Sequence, residues 1–569
     1  MFRYASSAMV WVLLIAPCAA QQSSSKMQAP AIDAARQHRA SLENPRGPEH
    51  MGSSYVPLDS WVYTALERLA ALGYGQSAVL GLRPWTRLEC ARLLQEAAES
   101  LEQEGVPGNH PAWPLYRSLK AEFAAEGRRL QGDRNLAWEL ESLYTRLLGI
   151  SGAPLADSYH FGQTVINDYG RPYQEGMNVI SGWTSHAEAG PVAFYVRGEY
   201  QHAPGAPAYS ANLRQAISIM DGTDPLPAVA MPTRNQFRLL ETYVAFNFSN
   251  LQFSFGKQSA WWGPSQGGPL MYSNNAEPFY MLRLTRVAPQ TLPSFLGRLG
   301  PMRWDFFLGR LEGHRFPAHP YVVAQKISFK PTPNLELGFS KTTIFAGGSV
   351  PITWKSFYRA TFSVSGSLGA DPGDRRGGFD FSYRIPGLRN WLVLYSDSLV
   401  DDDPSPLAAP RRAAINPGIY LTQIPGLRRL DLRVEAPYTD PPTGRSIGGK
   451  FIYWNGAYRD AHQDKGNLLG SWIGREGRGL QVWSTYWISG ESTLRLGYRT
   501  AHVSSDFVPN GGRLSNFSGR VEIAVRRDWL LSGWLQCETW NYPVLAPGKR
   551  TDVAASIQMT FRPHWRVRK

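Results

Sequence analysis

Along Phe237 to Gly256 (FRLLETYVAFNFSNLQFSFG) apolar and polar side chains take turns. Leu240, Val244, Phe246 and Phe248 interleave with Glu241, Tyr243, Ala245 and Asn247. Beyond Ser249-Asn250 the rhythm resumes as Leu251, Phe253 and Phe255 against Gln252, Ser254 and Gly256. Period two predicts two strands joined by a two-residue turn. With Phe248 opposite Leu251, the bulky apolar residues gather on one face and the other face stays polar. The same texture runs from about Pro154 to the C-terminus. Val192, Phe194 and Val196 alternate with Ala193, Tyr195, Arg197 and Glu199; Leu335, Leu337 and Phe339 with Glu336, Gly338 and Ser340; Leu494, Leu496 and Tyr498 with Arg495, Gly497 and Arg499. In RLDLRVEA one face (Leu430, Leu432, Val434, Ala436) is aliphatic and the other (Arg429, Asp431, Arg433, Glu435) is charged, and Val553 to Phe561 repeats the pattern.

Upstream the period changes. In LDSWVYTALERLAALGYG, Trp61, Val62, Ala65, Leu66, Leu69 and Leu72 form an apolar helical stripe that Asp59 or Ser60 can cap and Gly73 can end. Thr86 and Glu89 form a capping box for a second helix, and Ala112 to Gly127 and Asp133 to Leu148 carry helical spacing as well. Residues 53–153 are thus expected to form a small helical bundle. Residues 21–52 are polar and aperiodic, a flexible leader. The first twenty residues, with Arg3, an apolar run and Cys18-Ala19-Ala20, read as a signal peptide cut before Gln21. Pro17 argues against lipid modification at Cys18.

A soluble sandwich and an outer-membrane barrel can both use alternating strands. Length separates them: about 410 residues of strand texture exceed ordinary sandwich domains. At roughly 9 to 11 residues per spanning strand they predict a large antiparallel barrel of about sixteen to twenty strands over residues 154–569. Trp304, Tyr358, Trp391, Trp483 and Trp529 suit interfacial girdles. A formal charge of +13 in 569 residues, with 12% aromatic side chains, suits an acidic polymer as partner, and the export signal excludes nucleic acid. After signal removal only Cys90 and Cys537 remain, one per domain and expected to be unpaired.

The loop after the hairpin contains GPSQG, formally a G-x-S-x-G centred on Ser265. A nucleophile elbow runs from strand through a tight turn into a helix, and Pro264, Gly267, Gly268 and Pro269 cannot start one. The surrounding block, GKQSAWWGPSQGGPLMYSNNAEP followed by LRLTR, resembles the Wzi-type capsule assembly proteins. Further segments resemble the family in the same order: VPLDSWVYTALERLAALG, Lys326 to Gly348, Phe379 to Gly387, Leu394 to Asp403, and VEAPYTDPPTGR through FIYWNGAYRDAHQDKGNLLG. The resemblance touches most of residues 55 to 490; the last part is matched by barrel texture, and the RPHWRVRK tail departs from the usual aromatic finish. It implies an outer-membrane barrel, with about eighteen strands favoured, and a helical bundle on the periplasmic side. It further implies a non-catalytic role in binding capsular polysaccharide or exopolysaccharide at the cell surface, among outer-membrane lipids and near export machinery. A passive or carbohydrate-selective porin and an outer-membrane hydrolase are the alternatives. No cofactor is expected.

A polysaccharide site needs aromatic faces, amides and, for an acidic polymer, cations. Trp261, Trp262, Tyr272, Asn274 and Asn275 either supply the first two or brace the loop inside the barrel. Lys257, Arg197, Arg433 and Arg495, read as lumenal, either meet the polymer or pair with lumenal acids such as Glu199, Asp431 and Glu435. Asp397 with Asp401, Asp402 and Asp403 has the carboxylates of a hard-cation site without a recognised loop spacing, so no metal is assigned. His314 and His319 fit no zinc spacing.

Overall fold

The computed structural model describes residues 47–348, 350–363, 373–388, 391–442, 451–526 and 528–563. The signal peptide, most of the leader and the end of the basic tail lie outside the described residues. Four helices come first: α1 (Trp61–Ala71), α2 (Arg87–Gln103), α3 (Ala112–Glu122) and α4 (Ala124–Leu130). Ser60 caps α1 by accepting from Val62 N, and Thr86 caps α2 by accepting from Glu89 N at 3.2 Å. The Glu89 carboxylate turns to Arg92, at 2.8 Å. Val62, Leu66, Leu69, Leu94, Leu101, Leu115 and Leu119 close a core of their own.

Eighteen long strands follow. They are β1 (Leu136–Ser151), β2 (Gly176–Ala189), β3 (Val192–Ala203), β4 (Arg234–Phe248), β5 (Leu251–Gln258), β6 (Phe279–Arg286), β7 (Pro301–Arg310), β8 (Tyr321–Thr332) and β9 (Leu335–Phe345). The second half comprises β10 (Asp374–Arg384), β11 (Leu392–Asp401), β12 (Ala414–Leu421), β13 (Leu430–Glu435), β14 (Gly477–Trp487), β15 (Thr493–Val503), β16 (Gly512–Arg526), β17 (Trp529–Asn541) and β18 (Arg550–Phe561). Each pairs antiparallel with the next, and β1 with β18, so the sheet closes without an edge. Tight turns such as Gly190-Pro191 and Ser249-Asn250 link the strands at one end, and long loops (152–175, 204–233, 259–278, 346–373, 436–476) at the other. Two further helices, α5 (Ala211–Asp221) and α6 (Trp354–Phe362), sit in these loops.

The alternation decides which way each strand faces. Leu147, Phe194, Phe246, Phe255, Leu282, Leu496, Phe517 and Ile557 are exposed on the outside, forming an apolar band far larger than a water-soluble surface carries. Asp431, Arg433 and Glu435 turn inward while Leu430, Leu432 and Val434 turn out. Both residues of the Ser249-Asn250 turn have positive φ, as a two-residue hairpin with the right twist requires. Gly256 has φ +142°, and a Cβ there would fall 2.1 Å from the Thr242 carbonyl oxygen.

Five details correct the sequence reading. Asp133 to Leu148 is not a helix: β1 begins at Leu136, inside the segment assigned to the bundle, because pairing with both β2 and β18 outweighs the helical propensity of its Leu, Ala and Glu residues. Leu240 is not on the apolar face; a bulge opposite Arg197 and Gly198 turns it inward and leaves Leu239 outside. Trp483 faces the lumen, in register with Arg433, and Tyr358 lies on α6 rather than on a strand. Lys257 is not lumenal, having the outward parity of Phe255 and pairing with the exposed Tyr280. Cys90 is buried in the bundle and Cys537 exposed on β17, both free as expected.

Candidate functional site

The bundle enters the barrel from the short-turn end, where Gly52 N donates to Gly190 O and Asn250 N to Glu49 O. Lumenal charges hold it. Arg197 on β3 donates two hydrogen bonds of 2.9 Å to the Asp59 carboxylate beside the α1 cap. Arg433 on β13 pairs with Glu67 of α1 at 2.9 Å and lies 3.9 Å over the Tyr420 ring. Arg68 of α1 donates to the carbonyls of Thr422 and Arg428, and Glu336 of β9 accepts from Leu80 N and Gly81 N. Thus Arg197 and Arg433 do point into the lumen, and what they meet there is the bundle. Arg495 is half-buried on β15 and donates to Thr485 Oγ1 at 3.3 Å. The Lys257 ammonium bends to Glu277 and to the Leu239 carbonyl.

From the other end the aromatic loop folds inward and meets the bundle. Leu82-Arg83 forms a two-residue ladder with Trp261-Trp262. Trp262 is 1% exposed, donates Nε1 to Asp305 Oδ2 at 3.1 Å, and packs against Tyr272 and Phe307. Trp261 is buried with Arg83 stacked over it at 5.7 Å. Tyr272 shares a hydrogen bond with Thr342. The Asn274 carbonyl accepts from Tyr169 N, and Asn275 joins Asn167 to Leu468. Tyr159, Tyr453, Tyr458 and Leu468 from two other loops complete this core inside the barrel, with His462 packed against Tyr272 and Tyr453. All five loop residues therefore lie together and buried, the three rings turned into protein.

The other candidates disperse. Ser265 donates to Asp397, which also accepts from Leu270 N at 2.6 Å, so both tie down the loop. Asp401 pairs with Arg376 and accepts from Tyr453 N, whereas Asp403 pairs with Arg412. His314 Nε2 meets the Gln463 carbonyl and His319 meets Glu312. Among the described residues no three His, Cys, Asp or Glu side chains gather as metal ligands.

The loop end presents a different surface, which the sequence reading did not single out. The 311–320 and 451–476 loops are knitted by Arg459 N to Phe316 O, Arg315 N to Asp460, and Glu312 N to Asp464. Their knitting places the guanidinium groups of Arg315 and Arg459 5.7 and 5.6 Å from the ring of Phe316. Arg412 lies 4.8 Å over Phe451, and the ammonium of exposed Lys465 reaches Glu277 at 3.2 Å. Trp454 donates to Asp221 O at the end of α5. Rings beside cations are what an acidic sugar polymer needs: an apolar face for the pyranose and charge for the carboxylate. The signal was in YWNGAYRDAHQDKG, one of the segments carrying the family resemblance, although the pairing with Phe316 comes only from the fold.

Inside, a cavity of about 670 Å³ runs beside β1, β16, β17 and β18, from Arg526 and Arg562 toward Asn167 and Asp168. Five arginines and seven carboxylates line it. Elsewhere in the loops two Asp side chains grip His160, whose Nδ1 is 2.8 Å from Asp157 and Nε2 2.9 Å from Asp221. Burial alone would lower its pKa, but the two carboxylates raise it to about 10.

A family model for the capsule assembly protein Wzi matches residues 149–555. The chain belongs to that family. A protein in the cps region of Klebsiella pneumoniae is 28% identical over 176 residues, spanning 30% of this chain and 34% of that relative. The Escherichia coli outer-membrane protein Wzi, described as involved in group 1 capsule assembly and as a carbohydrate-binding β-barrel, superposes with a TM-score of 0.65 at 17% identity. That match covers 90% of this chain and all of the other. Pseudomonas aeruginosa OccK5 (OpdH) reaches a TM-score of 0.41 at 10% identity, over 76% of this chain and 99% of its own. Membership of the Wzi family and the closed barrel with its apolar outer band place the protein in the outer membrane.

Proposed function

We propose that this Wzi-family barrel is a non-catalytic anchor that holds an acidic capsular polysaccharide or exopolysaccharide at the cell surface. In outer-membrane barrels short turns face the periplasm and long loops the exterior. That orientation puts the bundle on the periplasmic side, within reach of export machinery, and the basic, aromatic loop surface outside, among outer-membrane lipids. The carrying observation is the cluster of Arg315, Arg459 and Phe316, three groups brought together by two loops and turned to the loop end. The carbohydrate binding described for the Escherichia coli protein supports the same reading. The buried Trp261, Trp262, Tyr272, Asn274 and Asn275 then act by bracing the loops from within, and contact with sugar falls to the rim. Arg315→Ala with Arg459→Ala, in a host whose own gene is deleted, is expected to lower cell-bound polymer about tenfold in favour of released polymer, as loss of two charge-assisted contacts implies. Retention equal to wild type, with the barrel present at normal level, would refute the rim as the binding surface.

A further inference from the structure

Helix α6 is packed on the outside of the barrel. On β9 the outward row runs Leu335, Leu337 and Phe339, which belong to the lipid-facing band, and then continues with Lys341, Thr343 and Phe345, all buried. What buries them is α6. Phe357 and Ala360 pack against Val323, Phe345 and Tyr321 on the outer wall. The Lys341 ammonium donates to the carbonyls of Ala360, Thr361 and Ser363, at 3.1, 3.0 and 2.6 Å, so a cation on the lipid side is neutralised by the negative end of the helix. Thr343 Oγ1 and Gln325 Nε2 donate to Ala360 O and Thr361 O. The Thr353–Ser356 capping box fixes the other end.

The opposite face of α6 has no protein over it among the described residues. Trp354 is 84% and Tyr358 64% exposed, one turn apart, and each is followed by a cation, Lys355 and Arg359. Nine residues cannot cross a bilayer. A short amphipathic helix continuous with the lipid-facing band, at its loop-end margin, lies in the interface, where indole and phenol rings sit at headgroup level and Lys or Arg reach phosphate. We propose that α6 is a lipid clamp: Trp354 and Tyr358 insert at the acyl boundary of the outer leaflet, and Lys355 and Arg359 bind the phosphate of an anionic lipid. This site is distinct from the polysaccharide rim and does not depend on it.

The test uses the full chain in nanodiscs containing equal parts phosphatidylglycerol and phosphatidylcholine, with retained lipid counted by native mass spectrometry after transfer to mild detergent. Wild type is expected to keep phosphatidylglycerol preferentially, and Lys355→Glu with Arg359→Glu to reduce that preference at least about tenfold, since both cations that attract the anionic headgroup are reversed in sign. An unchanged preference in a variant with wild-type heat-modifiable mobility overturns the proposal, as does full displacement by millimolar inorganic phosphate, which would make the site one for a free anion. Should the charge reversal impair folding, a nitroxide on Trp354→Cys in a Cys537→Ser background gives a second reading. Oxygen-accessible depth at the bilayer interface supports the clamp, and a purely aqueous position overturns it.

Discussion

Arg433 carries at one position what alternation can and cannot reveal. Its inward direction follows from LDLRVE alone, since Leu430, Leu432 and Val434 claim the lipid face. Its partner does not follow, because Glu67 lies 366 residues away on α1, just as Asp59 lies 138 residues from Arg197. The nearby Glu199 reaches Arg197 only at 3.6 Å, so the local pairing that the sequence suggests is the weaker of the two. Arg433 and Glu67 are both buried, so removing Arg433 leaves the Glu67 carboxylate only the longer contact to Arg83, at 3.5 Å. Arg433→Ala is expected to cost about 3–5 kcal/mol. Adding Glu67→Ala should cost less than the sum, with a coupling of about 1–3 kcal/mol. Urea unfolding in detergent micelles, followed by tryptophan fluorescence, reads all four proteins. Strict additivity would mean that the ion pair does not hold the bundle.

Among elements, the strands of the hairpin were readable because one face must meet lipid and the other must not. β1 was misread for a complementary reason: Leu136 to Ser142 satisfies a helical stripe as well as alternation, and only its two strand neighbours decide. Loop packing has no period at all, so the contact between the 152–175 loop and α5 was invisible. There His160 bridges Asp157 to Asp221, with Arg475 also on Asp221 at 2.7 Å. A His whose folded pKa is about 10, against an ordinary 6.5, stabilises fully below about pH 6.5 and loses that contribution as pH rises through 10. Asp221 is held below the ordinary carboxylate range, chiefly by His160 and then by Arg475 against the effect of burial, and it stays charged throughout that window. Wild type is therefore expected to lose about 2–4 kcal/mol between pH 6.5 and 10.5. His160→Asn should start weaker at pH 6.5 and show a much flatter profile. Urea midpoints across that range measure it, and parallel profiles for the two proteins would remove His160 from the account.

At the scale of the whole molecule, length and alternation predict a wide closed barrel, and such a wall leaves room for an aqueous channel. Whether the room is filled cannot be read from strand periodicity, because lumen-facing Arg and Glu look the same whether they meet water or a helix. Here the bundle enters from the short-turn end, the WWGP loop folds in from the other, and Leu82-Arg83 against Trp261-Trp262 joins the two plugs into one ladder. The cavity of about 670 Å³ beside β1 and β16 to β18 is lined by Asn167 and Asp168 of an inward loop. Two plugs entering from opposite ends have a definite consequence for conductance. Wild type in planar bilayers is expected to show no large steady conductance, and removal of residues 47–130 alone should give only flickering openings, because the outer loops still pack on Trp262, Tyr272 and Tyr453. Opening should become steady only when the 259–278 loop is shortened as well. Porin-like steady current from the intact chain would mean that the outer loops move aside in a membrane, and the rim of Arg315, Arg459 and Phe316 would then stand at the mouth of a channel, with the rival porin reading restored.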